Sequence, residues 1–389
     1  MANTARILMS SVKAALKGFG AVLVTGPRRS GKTTLLKMIF PRAEYRLLED
    51  PDVLAQVRSD PRGFLDGLKL PVMLDEIQNA PELMAYIRTR IDEHPRRKGL
   101  WLLTGSQEAP LMKGVTESMA GRVAVFQLLP FSSQENRRVS PFIGGFPEVL
   151  ARPKLIETWF RSYLQTYLER DVRAVSNIRD LAVFRRFLSL LAARVGQVLN
   201  KSALAGPLGL SVPAVDSWIG ILETTGILLL AQPFTENFGK RLVKAPKVYF
   251  SDNGLVCHLL GLRSMAELQR SPFKGALFEN HVACEIVKGQ QHHGLRRELF
   301  YLRDKNGLEV DFAVPTGDGG LALIEAKTTR TLLPKMGDTI RHYARTAKGY
   351  RCEGWVVYPA PVLRGSSGVG MDVRSCPAHE IAQKILGLK

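Results

Sequence analysis

The residues best suited to chemistry in this 389-residue chain form a glycine-rich segment with the spacing G-x-x-x-x-G-K-[ST]. The segment and the residue after it read Gly26-Pro27-Arg28-Arg29-Ser30-Gly31-Lys32-Thr33-Thr34. Glycines let backbone N–H groups close around phosphate oxygens, and a helix that starts there presents its positive end to the anion. We therefore predict that this segment binds ATP, with Lys32 at the β- and γ-phosphates and Thr33 on Mg²⁺.

A second segment supplies acidic groups for the same chemistry. Residues 71–74 read as an apolar strand that ends in Asp75 and Glu76. Asp75 is predicted to hold Mg²⁺ through water, and Glu76 to orient or deprotonate the attacking water. The second carboxylate favours hydrolysis, whereas a loop that binds nucleotide without hydrolysing it is the alternative. A third apolar segment, 100–103, is followed by Ser106, which we expect near the γ-phosphate.

The elements that position these residues fall into three blocks. Residues 1–140 alternate between helix and strand patterns, which predicts a P-loop α/β domain with a mainly parallel sheet and the nucleotide at the carboxyl ends of its strands. Residues 141–255 read as a mostly helical domain. Residues 256–389 read as a C-terminal α/β domain.

The middle block contains a helix-turn-helix pattern. A short helix is predicted from residue 200 to about Gly209, and Ser211 is predicted to cap a second helix. An apolar strand and a run of basic residues follow, which together suggest a winged helix whose basic side chains contact DNA phosphates. These predicted DNA contacts are Lys240, Arg241, Lys244 and Lys247. The alternative is a domain that packs against a neighbouring subunit.

The third block resembles a metal-dependent nuclease in its order of acidic and basic residues. Glu279 lies on a predicted helix, Glu309 and Asp311 share one face of a predicted strand, and Glu325 and Lys327 share a face of the next. Glu279, Asp311 and Glu325 are predicted to hold Mg²⁺ or Mn²⁺, with Lys327 helping to ionise a metal-bound water. The alternative is a scaffold in which Lys327 is simply paired with Glu325 or Asp311.

Composition limits the classes of protein that fit. The length suggests two or three domains. Lys and Arg number 54 against 36 Asp and Glu, a net charge of +18 that favours an anionic partner such as DNA. Four cysteines without C-x-x-C spacing indicate neither a zinc site nor a disulfide scaffold and fit a reducing cytoplasm. No apolar run approaches a membrane span, so we expect no membrane partner.

With these motifs in view, nearly the whole chain resembles a family of bacterial and archaeal AAA+ superfamily ATPases that carry a C-terminal domain of unknown function. Besides the two nucleotide motifs, its marks are Thr104-Gly105-Ser106, Gly121-Arg122, Gly144-Gly145-Phe146-Pro147, Tyr167-Leu168-Glu169-Arg170-Asp171, Lys247-Val248-Tyr249-Phe250-Ser251-Asp252 and Glu309-Val310-Asp311-Phe312. The resemblance implies an AAA+ core, a winged helix and a domain like the PD-(D/E)xK nuclease fold. The Asp, Glu and Lys of that nuclease motif would be Asp311, Glu325 and Lys327.

Two functions follow as expectations. The first is a Mg²⁺-dependent ATPase that acts on duplex or branched DNA, by remodelling or by cutting. The second is a nucleotide-switched regulator that binds DNA or protein and whose nuclease-like domain is inert. AAA+ proteins commonly work as rings, so we expect a homo-oligomer with an arginine supplied across the subunit boundary. Arg122 is the candidate, with Arg170 and Arg173 as rivals.

Overall fold

The computed structural model describes residues 4–105, 119–168, 180–234, 245–304, 306–317, 319–329, 331–347, 349–360, 369 and 372–388. The chain divides into two compact units. The first comprises Met1–Pro130 with the short segments Thr224–Gly226 and Gln291–Leu295. The second comprises Phe131–Glu223, Ile227–Gln290 and Arg296–Lys389.

The first unit is a parallel α/β domain. Its strands are β1 (Ala21–Thr25), β2 (Glu44–Leu47), β3 (Val72–Asp75), β4 (Trp101–Thr104) and β5 (Val123–Gln127). Its helices are α1 (Leu8–Ala15), α2 (Lys32–Ile39), α3 (Pro51–Ser59), α4 (Pro61–Asp66) and α5 (Leu83–Glu93). The strand order is β2-β3-β4-β1-β5, and each neighbouring pair is parallel. The parallel sheet predicted for the nucleotide domain is therefore confirmed.

Strand β1 is an interior strand of this sheet, between β4 and β5, and is buried on both faces. Val22 and Val24 belong to the hydrophobic cluster on one face, and Ala21 and Leu23 belong to the cluster on the other. Side chains of a strand alternate between faces, so this uniformly apolar sequence can be buried only inside a sheet covered on both sides. The carboxyl end of β1, where the glycine-rich segment begins, is thus fixed in the interior of the domain.

The second unit contains a mixed seven-stranded sheet and most of the remaining helices. Its strands are β6 (Leu228–Pro233), β7 (Lys247–Phe250), β8 (Phe300–Arg303), β9 (Glu309–Pro315), β10 (Gly320–Ala326), β11 (Arg351–Tyr358) and β12 (Val373–Pro377). The helices are α6 (Pro147–Ala151), α7 (Ile156–Tyr163), α8 (Leu181–Ala192), α9 (Lys201–Leu208), α10 (Val212–Thr224), α11 (Asn253–Leu259), α12 (Met265–Arg270), α13 (Lys274–His292), α14 (Asp338–Thr346) and α15 (Ile381–Leu386). The strand order is β12-β11-β10-β9-β8-β6-β7.

The predicted helix-turn-helix is present as a pair of helices. The side chain of Asn200 accepts a hydrogen bond from the backbone N–H of Ala203 and caps α9, and Gly209 ends α9 with a φ of 65°. The hydroxyl of Ser211 accepts from the N–H of Ala214 at the start of α10. The two helices are bent by 110° with respect to each other.

The predicted wing is not confirmed. Strands β6 and β7 pair antiparallel, as a wing would, but β6 also pairs parallel with β8. The two strands therefore form one end of the seven-stranded sheet, because hydrogen bonds to β8 satisfy the second edge of β6. The helix pair and the strands of the C-terminal α/β region accordingly belong to one compact unit.

Two family motifs outside the nucleotide segment contact each other inside the second unit. The N–H of Gly145 donates to the carboxylate of Asp252 at 2.6 Å, and Asp252 also accepts from the N–H of Leu255 at the start of α11. Gly144 has a φ of +75°, and a Cβ placed there would lie 2.1 Å from Asp252 Oδ1. These motifs therefore have a packing role, because the glycines leave room for the buried carboxylate.

No single helix among the described residues is long and apolar enough to cross a bilayer, and α9 with α10 satisfies the criteria of length and composition as one bent pair.

Candidate functional site

The glycine-rich segment makes a tight loop between β1 and α2. Gly26 has a φ of +134°, and a Cβ there would lie 2.3 Å from the carbonyl oxygen of Leu128. Gly31, directly before α2, has a φ of 100°, and Arg29 also lies in the left-handed region, with a φ of 62°. Both glycine positions therefore exclude side chains, which explains their spacing in the motif. The N-terminus of α2 opens at the end of this loop, as the sequence predicts.

Lys32 lies within the loop itself. Its side chain is buried, and its ammonium donates to the carbonyl oxygens of Gly26 and Pro27, both at 3.1 Å. A buried ammonium requires anionic or carbonyl partners, and phosphate oxygens are stronger partners than the two carbonyls. The structure thus places Lys32 at the position that phosphate binding requires, and its role in binding nucleotide stays a prediction.

Thr33 and Asp75, predicted to serve the metal, are in direct contact. The hydroxyl of Thr33 donates to both carboxylate oxygens of Asp75, at 3.0 Å each. Asp75 is buried and also accepts from the Tyr45 hydroxyl at 2.8 Å. A hydroxyl and a carboxylate are the hard oxygen ligands that Mg²⁺ takes. The donors in this structure therefore fit a magnesium ion.

Glu76 follows Asp75 in a strained backbone conformation. Its φ and ψ of 59° and 50° lie in the left-handed region, which a non-glycine residue adopts at a cost of about 1–3 kcal/mol. The Glu76 carboxylate accepts from the side-chain amide of Gln78 at 2.6 Å, and its backbone carbonyl accepts from Asn79 at 3.1 Å. This turn directs the chain away from β3 immediately after Asp75, so the two adjacent carboxylates have different surroundings.

Thr104 connects these two acidic residues. It is fully buried at the end of β4, its hydroxyl donates to Asp75 Oδ1, and the same hydroxyl accepts from the N–H of Glu76 at 3.1 Å. The sequence indicated polar groups at the end of this strand, but Ser106, the residue singled out there, lies outside the described residues. Thr104 is the residue through which β4 contacts the site.

Tyr45 and Arg6 complete the surroundings of the loop, and sequence reasoning missed both. Burial, followed by the hydrogen bond to Asp75, raises the pKa of Tyr45 above its usual range, so the hydroxyl stays a donor. Arg6, buried ahead of α1, donates to the carbonyl oxygens of Ser30 at 2.9 Å and Leu129 at 2.7 Å. A lone arginine near the N-terminus and a tyrosine on an edge strand carry no motif that would have identified them.

Arg122 is engaged within its own chain. Its guanidinium donates to both carboxylate oxygens of Asp92, at 2.7 and 3.1 Å, and this hydrogen bond lowers the pKa of Asp92. Arg122 directly precedes β5, and its carbonyl accepts from the N–H of Ala21 at the beginning of β1. Arg122 therefore lies where these strands begin, and the loop that follows β1 lies where they end. Its role as a finger toward another subunit stays a prediction, and Arg170 and Arg173 lie outside the described residues.

The predicted nuclease residues converge in the second unit, together with a residue assigned elsewhere. Carboxylate oxygens of Glu279, Glu309 and Asp311 lie within 4.8 Å of one another. The ammonium of Lys247 lies 2.7 Å from Glu279, 2.5 Å from Glu309 and 4.0 Å from Asp311. Glu325 lies at the edge of this group, where its carboxylate contacts the ammonium of Lys327 at 2.6 Å.

Burial is the largest cause of the raised pKa values of Glu279, Asp311 and Glu325. Burial and then the nearby Asp311 raise the pKa of Glu279 to about 7 and that of Glu325 to about 8. Burial also raises the pKa of Asp311, which accepts from the N–H of Ala326 at 2.8 Å. For Lys247 burial acts in the opposite direction, but the surrounding carboxylates raise its pKa above the usual range. The ammonium is therefore charged.

The prediction that Lys247 contacts DNA is wrong. Its side chain is 1% exposed, and its ammonium is bound by carboxylates, so it cannot meet a phosphate at the surface. The sequence placed it in a basic run, but the register of β7 turns it inward. The other three predicted DNA contacts, Lys240, Arg241 and Lys244, lie outside the described residues.

The parallel sheet, the loop after β1 and the Thr33–Asp75 contact define a P-loop domain of the AAA type. Comparison with known families agrees, because residues 19–136 match the family described as AAA domain. Residues 137–266 match a domain of unknown function, DUF8612, and residues 274–362 match another, DUF4143. The chain therefore combines a P-loop domain similar to the AAA domain with a C-terminal region similar to DUF4143.

Relatives identified by sequence are themselves uncharacterized. A protein of Mycobacterium tuberculosis is 28% identical over 310 residues, covering 78% of this chain and 69% of the relative. A protein of Haemophilus influenzae is 23% identical over 340 residues, covering 76% and 80%.

Solved structures that resemble this chain have a lower sequence identity to it than these relatives. A Walker-type ATPase of Pyrococcus abyssi has a TM-score of 0.42 at 15% identity, covering 65% of this chain and 94% of that one. The RuvB Holliday junction branch migration motor of Thermotoga maritima has a TM-score of 0.30 at 17% identity, covering 58% and 88%. These scores are too low to assign this chain a function.

Proposed function

We propose that this chain hydrolyses ATP with Mg²⁺ as its cofactor. The observation that carries the proposal is the direct contact of Thr33 with Asp75, next to the loop that holds Lys32 and directly before Glu76. Two hard oxygen ligands, a buried ammonium and a separate carboxylate are the protein groups that phosphoryl transfer to water needs. Positioning and charge stabilisation, rather than covalent chemistry, supply most of the rate enhancement in such sites.

Each residue then has one task. Backbone N–H groups of residues 26–34 and the ammonium of Lys32 bind the phosphates. Thr33 and Asp75 hold Mg²⁺, which neutralises charge on the phosphates when bound. Glu76 accepts a proton from the attacking water or orients it. Thr104 fixes the position of the Asp75 carboxylate relative to the backbone of Glu76, since one hydroxyl contacts both.

Phosphate release by the purified full-length chain tests this proposal. We expect turnover that requires Mg²⁺, stops with EDTA and falls in Asp75→Asn, which keeps the shape of the side chain but loses its charge. The surface variant Asp66→Asn is a matched control, because its carboxylate is exposed and bonds Arg90 rather than Thr33. Turnover in Asp75→Asn equal to that of wild type would overturn the proposal.

We further propose that activity requires a homo-oligomer in which Arg122 reaches the nucleotide of a neighbouring subunit. Support comes from the exposed position of Arg122 at the sheet edge away from its own loop. Specific activity should rise with protein concentration, and Arg122→Ala should lower turnover while keeping ATP affinity. Asp92→Ala frees the same arginine and is the matched control, with turnover kept. Turnover by a monomer that is independent of concentration would reject the proposal.

We also propose that the chain is a cytoplasmic protein that couples ATP hydrolysis to duplex or branched DNA. The support is the net charge of +18 and the helix pair α9–α10, while the four free cysteines fit a reducing compartment. Neutralising Lys240, Arg241 and Lys244 should reduce the slope of log affinity against log salt by about 3, at roughly 0.9 per lost phosphate contact. Neutralising the exposed basic residues 96–98 is the control. An equal slope in both triple variants would remove these contacts from the proposal.

A second candidate function is a nucleotide-switched regulator whose nuclease-like region is inert. One observation favours it: the ammonium of Lys247 lies near Glu279 and Asp311, two of the carboxylates predicted to hold a metal ion. Metal-dependent nicking of supercoiled and branched DNA distinguishes the two, with the double variant Asp311→Ala, Lys327→Ala as control. Cutting by wild type but not by the double variant supports a nuclease. Normal ATP turnover without cutting supports the regulator.

A further inference from the structure

The side chain of Lys247 lies among the carboxylates of Glu279, Glu309 and Asp311 in the second unit. Its ammonium is 2.7 Å from Glu279 Oε1 and 2.5 Å from Glu309 Oε1, and Asp311 Oδ1 is 4.0 Å away. Three carboxylates from one helix and one strand, α13 and β9, thus surround a single cation. Carboxylates that lie close together and are mostly shielded from water repel one another unless a positive charge offsets them, and Lys247 supplies that charge.

Each of the three acids also accepts a hydrogen bond from another protein group. The Tyr249 hydroxyl donates to Glu279 at 2.5 Å, Arg303 donates to Glu309 at 3.1 Å, and the N–H of Ala326 donates to Asp311. Lys327 pairs with Glu325 at the edge of the group. Four carboxylates therefore face three basic side chains, so little negative charge is left for a divalent cation to offset.

Lys247 is also fixed in place by its backbone. On one side β7 pairs with β6, where Lys247 lies opposite Ala231. On the other side the N–H of Gly196 donates to Val248 and the N–H of Leu199 donates to Pro246. The aromatic rings of Tyr249 and Tyr301 lie 5.9 and 5.7 Å from the ammonium and add cation–π attraction. A strand bonded on both edges cannot withdraw its side chain without losing these contacts.

We propose that Lys247 is a resident cation that closes this cluster to divalent metal ions, and that removing its charge converts the cluster into a metal site. The wild-type chain then takes no Mg²⁺ or Mn²⁺ at Glu279 and Asp311, contrary to the sequence-based prediction. Carboxylate oxygens from three residues within 4.8 Å of one another are the donor set for an oxygen-ligated dication once the ammonium is gone. This proposal is independent of ATP hydrolysis, because all of its residues belong to the second unit.

Mn²⁺ binding to the full-length chain, followed by electron paramagnetic resonance, tests the proposal. All preparations carry Asp75→Asn, so that the site of the first unit does not contribute. Lys247→Met removes the charge at nearly constant length. Lys327→Met is the matched control, because it removes the other lysine of the group, which is 38% exposed, and leaves Lys247 in place. A variant with Lys247→Met and Asp311→Asn shows whether the new site is this cluster.

We expect Lys247→Met to bind one Mn²⁺ per chain at least tenfold more tightly than the wild-type cluster or Lys327→Met. Added Asp311→Asn should abolish that gain, and Mn²⁺ should raise the melting temperature of Lys247→Met alone. If the chain with Lys247 intact binds Mn²⁺, and Asp311→Asn removes that binding, the proposal is overturned. This comparison needs no change at Lys247. A folded Lys247→Met, judged by circular dichroism, that binds no Mn²⁺ would overturn it as well.

Discussion

Replacing the buried Glu285 by glutamine should stabilise the second unit against unfolding at high pH more than at low pH. Glu285 is 2% exposed on α13, and its two carboxylate oxygens accept from the N–H of Ser133 at 3.1 and 3.0 Å. Burial raises the pKa of Glu285 from 4.5 to about 7, although Lys288 and the hydrogen bonds from Ser133 act in the opposite direction. Between pH 4.5 and about 7, Glu285 therefore holds a proton in the native chain that it has lost in the unfolded chain.

The sign and size of the effect follow from proton linkage. Stability falls as pH rises wherever the native state binds more protons, so Glu285 lowers the free energy of unfolding progressively between pH 4.5 and about 7. The total is on the order of 3 kcal/mol, at about 1.4 kcal/mol per pH unit. Glutamine resembles the protonated acid and has no such loss. Most of that loss falls between pH 5 and pH 8, so the difference between Glu285→Gln and wild type should grow by about 2.5 kcal/mol over this range.

The assay must report on the second unit by itself. Of the four tryptophans, Trp101 lies in the first unit, so a Trp101→Phe background leaves Trp159, Trp218 and Trp355 as reporters of the second. Urea unfolding followed by fluorescence at pH 5 and pH 8 then gives the two free energies. The exposed acid variant Glu157→Gln is the control and should follow wild type at both values. A difference for Glu285→Gln that is constant or shrinks as pH rises would refute the reasoning.

Three further predictions concern the first unit. Lys32→Ala should weaken ATP binding at least about tenfold, measured by titration with a fluorescent ATP analogue, because one charged hydrogen bond to phosphate contributes about 1.5–3 kcal/mol; unchanged affinity would contradict it. Arg6→Met should lower the free energy of unfolding by about 3 kcal/mol or more in urea, since two buried carbonyls lose a charged donor, whereas Arg96→Met on the surface should not. Thr104→Val should lower kcat about tenfold with ATP affinity kept within threefold, and a loss of affinity alone would count against its contact with Glu76.

The sequence predicted the strand, loop and helix start around residues 21–39 because their signals are local. A buried apolar strand, glycines that need positive φ and a helix start lie within a few residues of one another, so spacing alone determines their arrangement. The strand ending in Asp75 is equally local. The contact between Thr33 and Asp75 joins residues 42 positions apart, yet it follows because Asp75 ends β3 and the loop that leads to Thr33 leaves the carboxyl end of β1 in the same parallel sheet.

The failures concern contacts that depend on tertiary pairing. Lys247 follows basic residues in sequence, but pairing of β6 with both β7 and β8 turns it toward Glu279 and Glu309 instead of solvent. Nothing in a basic run distinguishes a phosphate contact from a buried ion pair. Arg6 likewise contacts Leu129, 123 positions away, without any motif. In both cases the partner is set by the fold rather than by neighbouring residues.

The most direct test of ATP hydrolysis at this site compares wild type with Glu76→Gln in two measurements, the affinity for ATP and the rate of ATP turnover. Glutamine keeps the size and a hydrogen-bonding oxygen but cannot accept a proton from water, so kcat should fall by about 10²–10⁴ while ATP affinity is kept. The exposed neighbour Glu82→Gln should behave as wild type. Equal turnover by wild type and Glu76→Gln, from preparations that bind ATP equally, would contradict the account.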